Sequence, residues 1–336
     1  MTASPSLSLT LSVETFPLTR PFRISGHTFT DAAALVARAR AGAARGRGEA
    51  AGVYYLGEEP QSMARQLEAH REDIEAGLSR QDARRLLPAG GARNALDCAL
   101  WELEAGLTGR PVWRLTGGDE PRPLVTTFTL GADSPEHMVE GAVRFGRARA
   151  LKVKLTGEEA ALDAERVRAV RAARPEVWMG VDANQGYTPD TLEALLPALV
   201  AGRVAVLEQP FARGREADME GLGCPIPIAA DESALELGDI EGLVGRFDIL
   251  NIKRDKCGGL TEALLMAAEA RRLGLGVMVG CMVGTSWAMA PAFVLGQLCD
   301  IVDLDGPVLL ANDRRPGALY EDGLLRCPDE VWGAPD

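Results

Sequence analysis

A chain of 336 residues with a formal net charge of −12 has room for one large domain or two ordinary ones, and its acidity argues against nucleic acid or an anionic membrane surface as partner. No apolar run reaches the roughly 18 residues that a membrane span needs, and the opening MTASPSLSLTLSVETF lacks the basic start and apolar core of a secretion signal. Cys98, Cys224, Cys257, Cys281, Cys299 and Cys327 are scattered without CxxC spacing, which fits reduced thiols in a cytoplasmic protein with neither disulfide framework nor zinc site.

Residues 5–15 alternate polar and apolar, the pattern of a half-buried strand. Residues 17–31, PLTRPFRISGHTFTD, read as a loop with Pro17 and Pro21 as breakers. The stretch DAAALVARARAGAARG is helix-like by composition but equally compatible with a hairpin strand before GRGEAAGVYYL, and both readings stand. SMARQLEAHREDIEAGL and SRQDARRLL are amphipathic helices. ARNALDCALWELEAGLTG carries a helical stripe of Ala95, Leu96, Ala99, Leu100 and Leu103, with stop signals at Gly106, Gly109 and Pro111. Residues 1–122 therefore read as an α+β domain, with PRPL at 121–124 marking its boundary.

From there the pattern changes. VTTFTL, ALKVKL, VWMGVD, VAVLEQ, PIPIAAD, FDILNIK, GVMVGC and DIVDLD are short apolar runs, separated by helical patterns such as EEAALDAERVRAVRAARP and LTEALLMAAEARRLG. Strands alternating with helices predict βαβ units and a parallel sheet. This many units close as a barrel over residues 123–307, and the turn-rich tail 308–336 is expected to return to the N-terminal domain. Charges fall at the ends of successive strands: Lys152 and Lys154, Asp182, Glu208, Asp231, Lys253, then Asp303 and Asp305. In such a barrel those ends carry the functional residues.

Asp182, Glu208 and Asp231 come from three successive strand ends. Such carboxylates repel one another unless neutralised, and their hard oxygens select Mg²⁺. His27, His70 and His137 fall outside the predicted barrel strand ends, so a histidine-based site is not expected. Lys152 and Lys154, two apart on a strand, face the same side, while Leu151, Val153 and Leu155 face the helices. Lys253 lies across the barrel from Lys154. A metal-bound carboxylate substrate between them would have a lysine on each face of its α-carbon, with Mg²⁺ stabilising an enediolate, and neighbouring positive charge is expected to lower a lysine towards a usable base. Asp303 and Asp305 either hold a substrate ammonium, or Asp303 pairs with a nearby lysine while Asp305 caps the turn. Thr127 and Thr129, or their neighbours, point inward from the first barrel strand.

KVK, VDANQ, LEQP, ADES, NIK with KCGG, and DLDGP together resemble the muconate-lactonizing subgroup of the enolase superfamily. The DxD on the last strand is most similar to the dipeptide epimerases, those acting on L-Ala-D/L-Glu in particular. The resemblance covers the whole chain. It implies an α/β fold, a (β/α)₇β modified TIM barrel with an N-terminal α+β capping domain, and a small-molecule dipeptide as partner, with a homo-oligomer left open. It implies Asp182, Glu208 and Asp231 as Mg²⁺ ligands, Lys154 and Lys253 as the acid/base pair, and Lys152 and Lys256 in support. Asp303 and Asp305 would take the dipeptide ammonium, with Thr129 beside them, and murein peptide metabolism would be the setting. The resembling L-Ala-D/L-Glu epimerases place an arginine in the first cap loop for the glutamate side chain. Here His27 stands near that point, Arg20 and Arg23 come earlier, and Tyr54 and Tyr55 either close the pocket or simply pack. N-acyl-amino-acid racemisation, o-succinylbenzoate synthesis and a non-catalytic peptide-binding barrel remain alternatives.

Overall fold

The computed structural model describes residues 7–24 and 26–335. Three strands, β1 (Leu7–Ile24), β2 (His27–Ala41) and β3 (Ala44–Ala50), form an antiparallel sheet in that order. The alanine-rich stretch after Thr30 is thus strand, not helix. As the central strand it buries Leu35, Val36 and Ala37 together, which small and β-branched side chains allow. The loop expected over residues 17–31 is instead largely hairpin. β1 and β2 pair continuously from Leu7↔Ala41 to Pro17↔Asp31, slip, and resume at Phe22↔Phe29. The prolines mark the break in the ladder, where a missing N–H is tolerated.

Helices α1 (Pro60–Ala69), α2 (Arg71–Glu75), α3 (Arg80–Leu86) and α4 (Gly91–Thr108) cover this sheet. β3 reads ARGRGEA because α4 lies directly on it. A Cβ on Gly46 would come 1.9 Å from the Ala99 carbonyl oxygen, and one on Gly48 equally close to that of Ala95. α4 ends where the stop signals place it, on Gly109 in the left-handed conformation. A short α5 (Val112–Leu115) follows.

The second sheet has eight parallel strands: β5 (Thr127–Leu130), β6 (Ala150–Lys154), β7 (Trp178–Asp182), β8 (Val206–Glu208), β9 (Ile228–Ala230), β10 (Ile249–Lys253), β11 (Gly276–Gly280) and β12 (Ile301–Val302). They neighbour one another in chain order and curl into a nearly closed barrel. The crossovers carry α6 (Pro135–Arg144), α7 (Ala160–Ala173), α8 (Pro189–Ala201), the pair α9 (Arg254–Cys257) and α10 (Leu260–Arg272), and α11 (Ser286–Gly296); after β8 and β9 the connections are 3₁₀ turns. Across the seam between β5 and β12, side chains bridge the strand ends: Leu304 N–H donates to Thr126 Oγ1 at 2.9 Å, and Thr129 N–H to Asp305 at 2.6 Å. Leu151, Val153 and Leu155 are fully buried in the apolar cluster under the helices, as their alternation with Lys152 and Lys154 predicts.

The tail runs back over the sheet of β1–β3. Ala311 N–H donates to the Pro17 carbonyl, and Arg314 pairs with Glu14 and the buried Glu49. Near its end β13 (Leu319–Glu321) and β14 (Leu324–Arg326) join β4 (Leu124–Val125) in a small sheet. Among the described residues no helix is long and apolar enough to cross a membrane.

Candidate active site

Strand register assembles the site. Lys154 pairs with Asp182 and Asp182 with Glu208, so the ends of β6, β7 and β8 fall in one row. Asp231 follows the last residue of β9, and Lys253 ends β10. Oxygen atoms of Asp182, Glu208 and Asp231 all lie within 4.8 Å of one another, and all three residues are buried. Three clustered hard-oxygen donors fit a divalent cation of the Mg²⁺ kind.

Lysines reach these carboxylates from both sides. Lys152 Nζ lies 3.0 Å from Asp182, 2.8 Å from Glu208 and 2.7 Å from Asp303. Lys154 donates to Asp182 at 2.6 Å and to Asn184 at 3.1 Å. On the far side of the triad Lys253 donates to Asp231 at 2.5 Å. Lys256 donates to the other Asp231 carboxylate oxygen at 2.6 Å, and to the backbone carbonyls of Asp231 and Asn251. Burial works to raise Asp182 and Asp231, but the lysine charges outweigh it and hold both carboxyls well below the usual range. Glu208 is pushed up to about 8 by burial and then by Asp182.

The same charges act on the lysines. Burial favours their neutral form, yet Lys152 and Lys253 sit well above ordinary lysine, because facing carboxylates, Asp182 for the one and Asp231 for the other, contribute more. These carboxylates outnumber the neighbouring lysine charge.

Behind Lys152 lies the second acidic pair. Thr127 Oγ1 donates to Asp303, which also holds Lys152. Thr129 donates to Asp305 through its N–H at 2.6 Å and its hydroxyl at 3.2 Å. Burial tends to raise Asp303, but Lys152 keeps it below the usual range, whereas burial and Asp303 push Asp305 up to about 7. The lysine pairing weighed for Asp303 is therefore present, and Asp305 is bound by Thr129.

Two cavities with shared walls open here. One of about 50 Å³ touches Thr129, Lys152, Asp303 and Asp305; the other, of about 270 Å³, touches Tyr54, Tyr55, Asn184 and Glu232. Both touch Phe22, Lys154, Lys253 and Cys281. The remaining cap residues singled out in the sequence stand apart. Arg23 pairs with Glu158 at 3.0 Å, both exposed. His27 is exposed, its ring 4.2 Å from that of Phe29 and 5.1 Å from that of Tyr54. Neither lines either cavity.

Several positioning residues were quoted within motifs but given no role. Asn251 Nδ2 donates to Glu208 at 2.9 Å. Gln209, the Q of LEQP, has a left-handed backbone, and its side-chain oxygen accepts from the N–H groups of Asp231 and Ser233, fixing the third carboxylate. Asp255, two residues past Lys253, accepts from the N–H groups of Ala51 and Gly52, tying the loop after β3 to the end of β10. The KCGG glycines make room for α4: a Cβ on Gly258 would fall 2.1 Å from Arg93, and one on Gly259 2.5 Å from Asp97.

Comparison with known proteins places this geometry in a family. Residues 8–117 match the mandelate racemase / muconate lactonizing enzyme N-terminal domain, and residues 136–331 the enolase C-terminal domain-like family. The L-Ala-D/L-Glu epimerase of Escherichia coli (strain K12) is 38% identical over 93% of this chain and 97% of its own. An N-acetyl-D-glutamate racemase from a Pseudoalteromonas species is 40% identical over 74% of this chain and 78% of its own. A solved enolase family member from Agrobacterium tumefaciens, described as having homology to dipeptide epimerases and bound to sodium and L-Ala-L-Glu, is 40% identical with a TM-score of 0.94, over 97% of this chain and all of that one. With matches across both regions, this chain belongs to the mandelate racemase / muconate lactonizing enzyme family of enolase-like proteins.

Proposed function

We propose that the chain is a Mg²⁺-dependent dipeptide epimerase that inverts the α-carbon of the second residue by two-base proton transfer. The observation that carries this reading is the pair of lysines, Lys154 and Lys253, flanking one carboxylate triad and lining the same two cavities. Asp182, Glu208 and Asp231 would hold the metal, which would supply positive charge to a bound substrate carboxylate.

In this scheme the substrate α-carbon lies between the two lysines. One of them, neutral, removes the α-proton, and the other, as an ammonium, returns a proton to the opposite face. Lys152 and Lys256 support the carboxylates through their ion pairs. The substrate ammonium enters the small cavity and displaces Lys152 as the partner of Asp303, with Asp305 and Thr129 beside it. Tyr54 forms a wall of the larger cavity, while Arg23 and His27 brace the hairpin from outside. Residues 1–122 with the tail 308–336 serve as the cap, and residues 123–307 as the catalytic barrel. Six free cysteines support a reducing, cytoplasmic setting.

N-acyl-amino-acid racemisation is the second reading, favoured by the likeness to N-acetyl-D-glutamate racemase. The buried Asp303–Asp305 pair weighs against it, because an acylated nitrogen carries no charge to balance two carboxylates. Proton NMR in D₂O with Mg²⁺ separates the two. Exchange of the second residue's α-proton in L-Ala-L-Xaa, with the diastereomer appearing, is expected. Exchange only with N-acyl amino acids would reverse the assignment.

A further inference from the structure

The two cavities meeting at the lysines differ in character. The smaller is acidic, with Asp303 and Asp305 in its wall. The larger has Phe22, Phe29, Tyr54, Tyr55, Met282 and Val283 in its wall. Its rings form a chain: Phe22 lies 6.4 Å from Phe29, Phe29 5.3 Å from Tyr54, and Tyr54 5.2 Å from Tyr55, the last two contacts edge-to-face. Among the described residues, no lysine, arginine or histidine lines it apart from Lys154 and Lys253. The charged groups it adds are carboxylates, Asp31, Glu58, Glu59 and Glu232, alongside the metal-triad Asp231. Arg23 is turned away to Glu158 and His27 stands outside the lining.

We propose that this larger cavity receives the side chain of the dipeptide's second residue, selects a neutral apolar or aromatic one, and rejects a carboxylate. The proposal rests on the dipeptide epimerase reading. A glutamate side chain entering here would lose its water beside Glu58 and Glu232 and gain no cation in return, since Lys154 and Lys253 are already committed at the α-carbon. An apolar or aromatic side chain meets ring faces and edges instead. A cationic side chain would find one buried carboxylate oxygen without a partner among the described residues, Oε2 of Glu232, and the other carboxylates serve it less well than their count suggests. Glu58 is spent on the N–H groups of Val53 and Gly91, and Asp31 and Glu59 are exposed at the rim. The specificity-determining residue is Phe29, which touches Phe22, His27 and Tyr54 at once.

The test measures kcat/KM by α-proton exchange for L-Ala-L-Phe, L-Ala-L-Leu, L-Ala-L-Glu and L-Ala-L-Lys, using the full chain with Mg²⁺. L-Ala-L-Phe or L-Ala-L-Leu is expected to exceed L-Ala-L-Glu by at least tenfold. Phe29→Arg is expected to narrow that ratio at least tenfold, chiefly through KM for L-Ala-L-Glu. Phe29→Ala, which enlarges the cavity without adding charge, is expected to reorder the apolar substrates without admitting L-Ala-L-Glu. L-Ala-L-Glu or L-Ala-L-Lys as the fastest substrate overturns the proposal, and so does equal admission of L-Ala-L-Glu by Phe29→Ala. Calorimetric binding of the same dipeptides is independent of turnover. Tighter L-Ala-L-Phe than L-Ala-L-Glu supports the cavity assignment even in an inactive variant. Exchange with no dipeptide removes the epimerase reading itself, and the proposal with it.

Discussion

At the barrel mouth, charged side chains stand at strand ends, Lys154, Asp182 and Glu208 in a single pairing row. In the cap hairpin, the cavity is shaped by rings from strands that pair out of simple step, Phe22 against Phe29 beyond a register slip. The first arrangement repeats with the βαβ unit and leaves a periodic trace in the sequence. The second depends on where a hairpin tip folds down, and leaves none. The difference suggests a division of labour: the barrel fixes the reaction and the cap chooses the substrate, so that changes in the two regions should have effects of different kinds.

The largest effect is expected at the lysines. Lys154→Ala and Lys253→Ala should each lower epimerisation by about 10³-fold or more, within the range of general acid–base catalysis, with unchanged circular dichroism. Substantial turnover by either variant would end the two-base scheme. Chelation of the metal should abolish exchange at the α-carbon, with Mg²⁺ restoring it, since three buried carboxylates are poorly placed to bind another carboxylate without a cation.

A smaller loss is expected at the DxD pair. Asp303→Asn removes one charged acceptor, worth about 1.5–3 kcal/mol for a hydrogen bond to a charged group. That corresponds to roughly 10–100-fold in kcat/KM, mostly in KM. Lys152 keeps Asp182 and Glu208 as partners, so the barrel should remain folded. An N-acyl amino acid offers no ammonium and should feel the change less, and equal losses for both substrates would return Asp303 to a purely structural role.

The cap can be disturbed without touching chemistry. Gly48→Ala would put a methyl 1.9 Å from the Ala95 carbonyl oxygen, against backbone that cannot yield cheaply. Overpacking of this kind costs about 1–3 kcal/mol, seen as a lower thermal midpoint. Turnover per folded molecule should change less than about threefold, well below the effect of losing either acid/base lysine. A loss as large as that of a lysine variant would mean that cap and barrel do not divide their labour.

Both regions bear on how much could be read from the sequence alone. The barrel strands and charges were legible because a parallel sheet repeats its register and places side chains alternately in and out. The hairpin was misread as loop because Pro17 and Pro21 signal a break, which is real but local. The stripe Ala95, Leu96, Ala99, Leu100 and Leu103 predicted α4. Its buried Arg93, Asn94 and Asp97 could not be foreseen, because each has a partner more than 150 residues away: Arg254 on Asn94, Thr261 on Asp97 and the Cys257 carbonyl on Arg93. Gln209 and Asn251 lay within recognised motifs, but their roles are hydrogen bonds to other strands, and sequence spacing does not report those.

The smallest effect is expected at Arg23, and it separates the two kinds of legibility most cleanly. By sequence position Arg23 is a candidate for holding a substrate carboxylate. In the fold its guanidinium donates to both oxygens of Glu158, at 3.0 and 3.3 Å, with side-chain exposures of 48% and 65% for the two partners. An ion pair that exposed is worth about 0–1 kcal/mol, and screening by salt reduces it further. Arg23→Ala should therefore change kcat/KM for L-Ala-L-Phe by less than about twofold, and for L-Ala-L-Glu no more. A loss confined to L-Ala-L-Glu, growing as salt is lowered, would show that Arg23 leaves Glu158 and swings over the cavity when an acidic side chain arrives. The cap would then choose its substrate by a moving charge rather than by a fixed wall of rings.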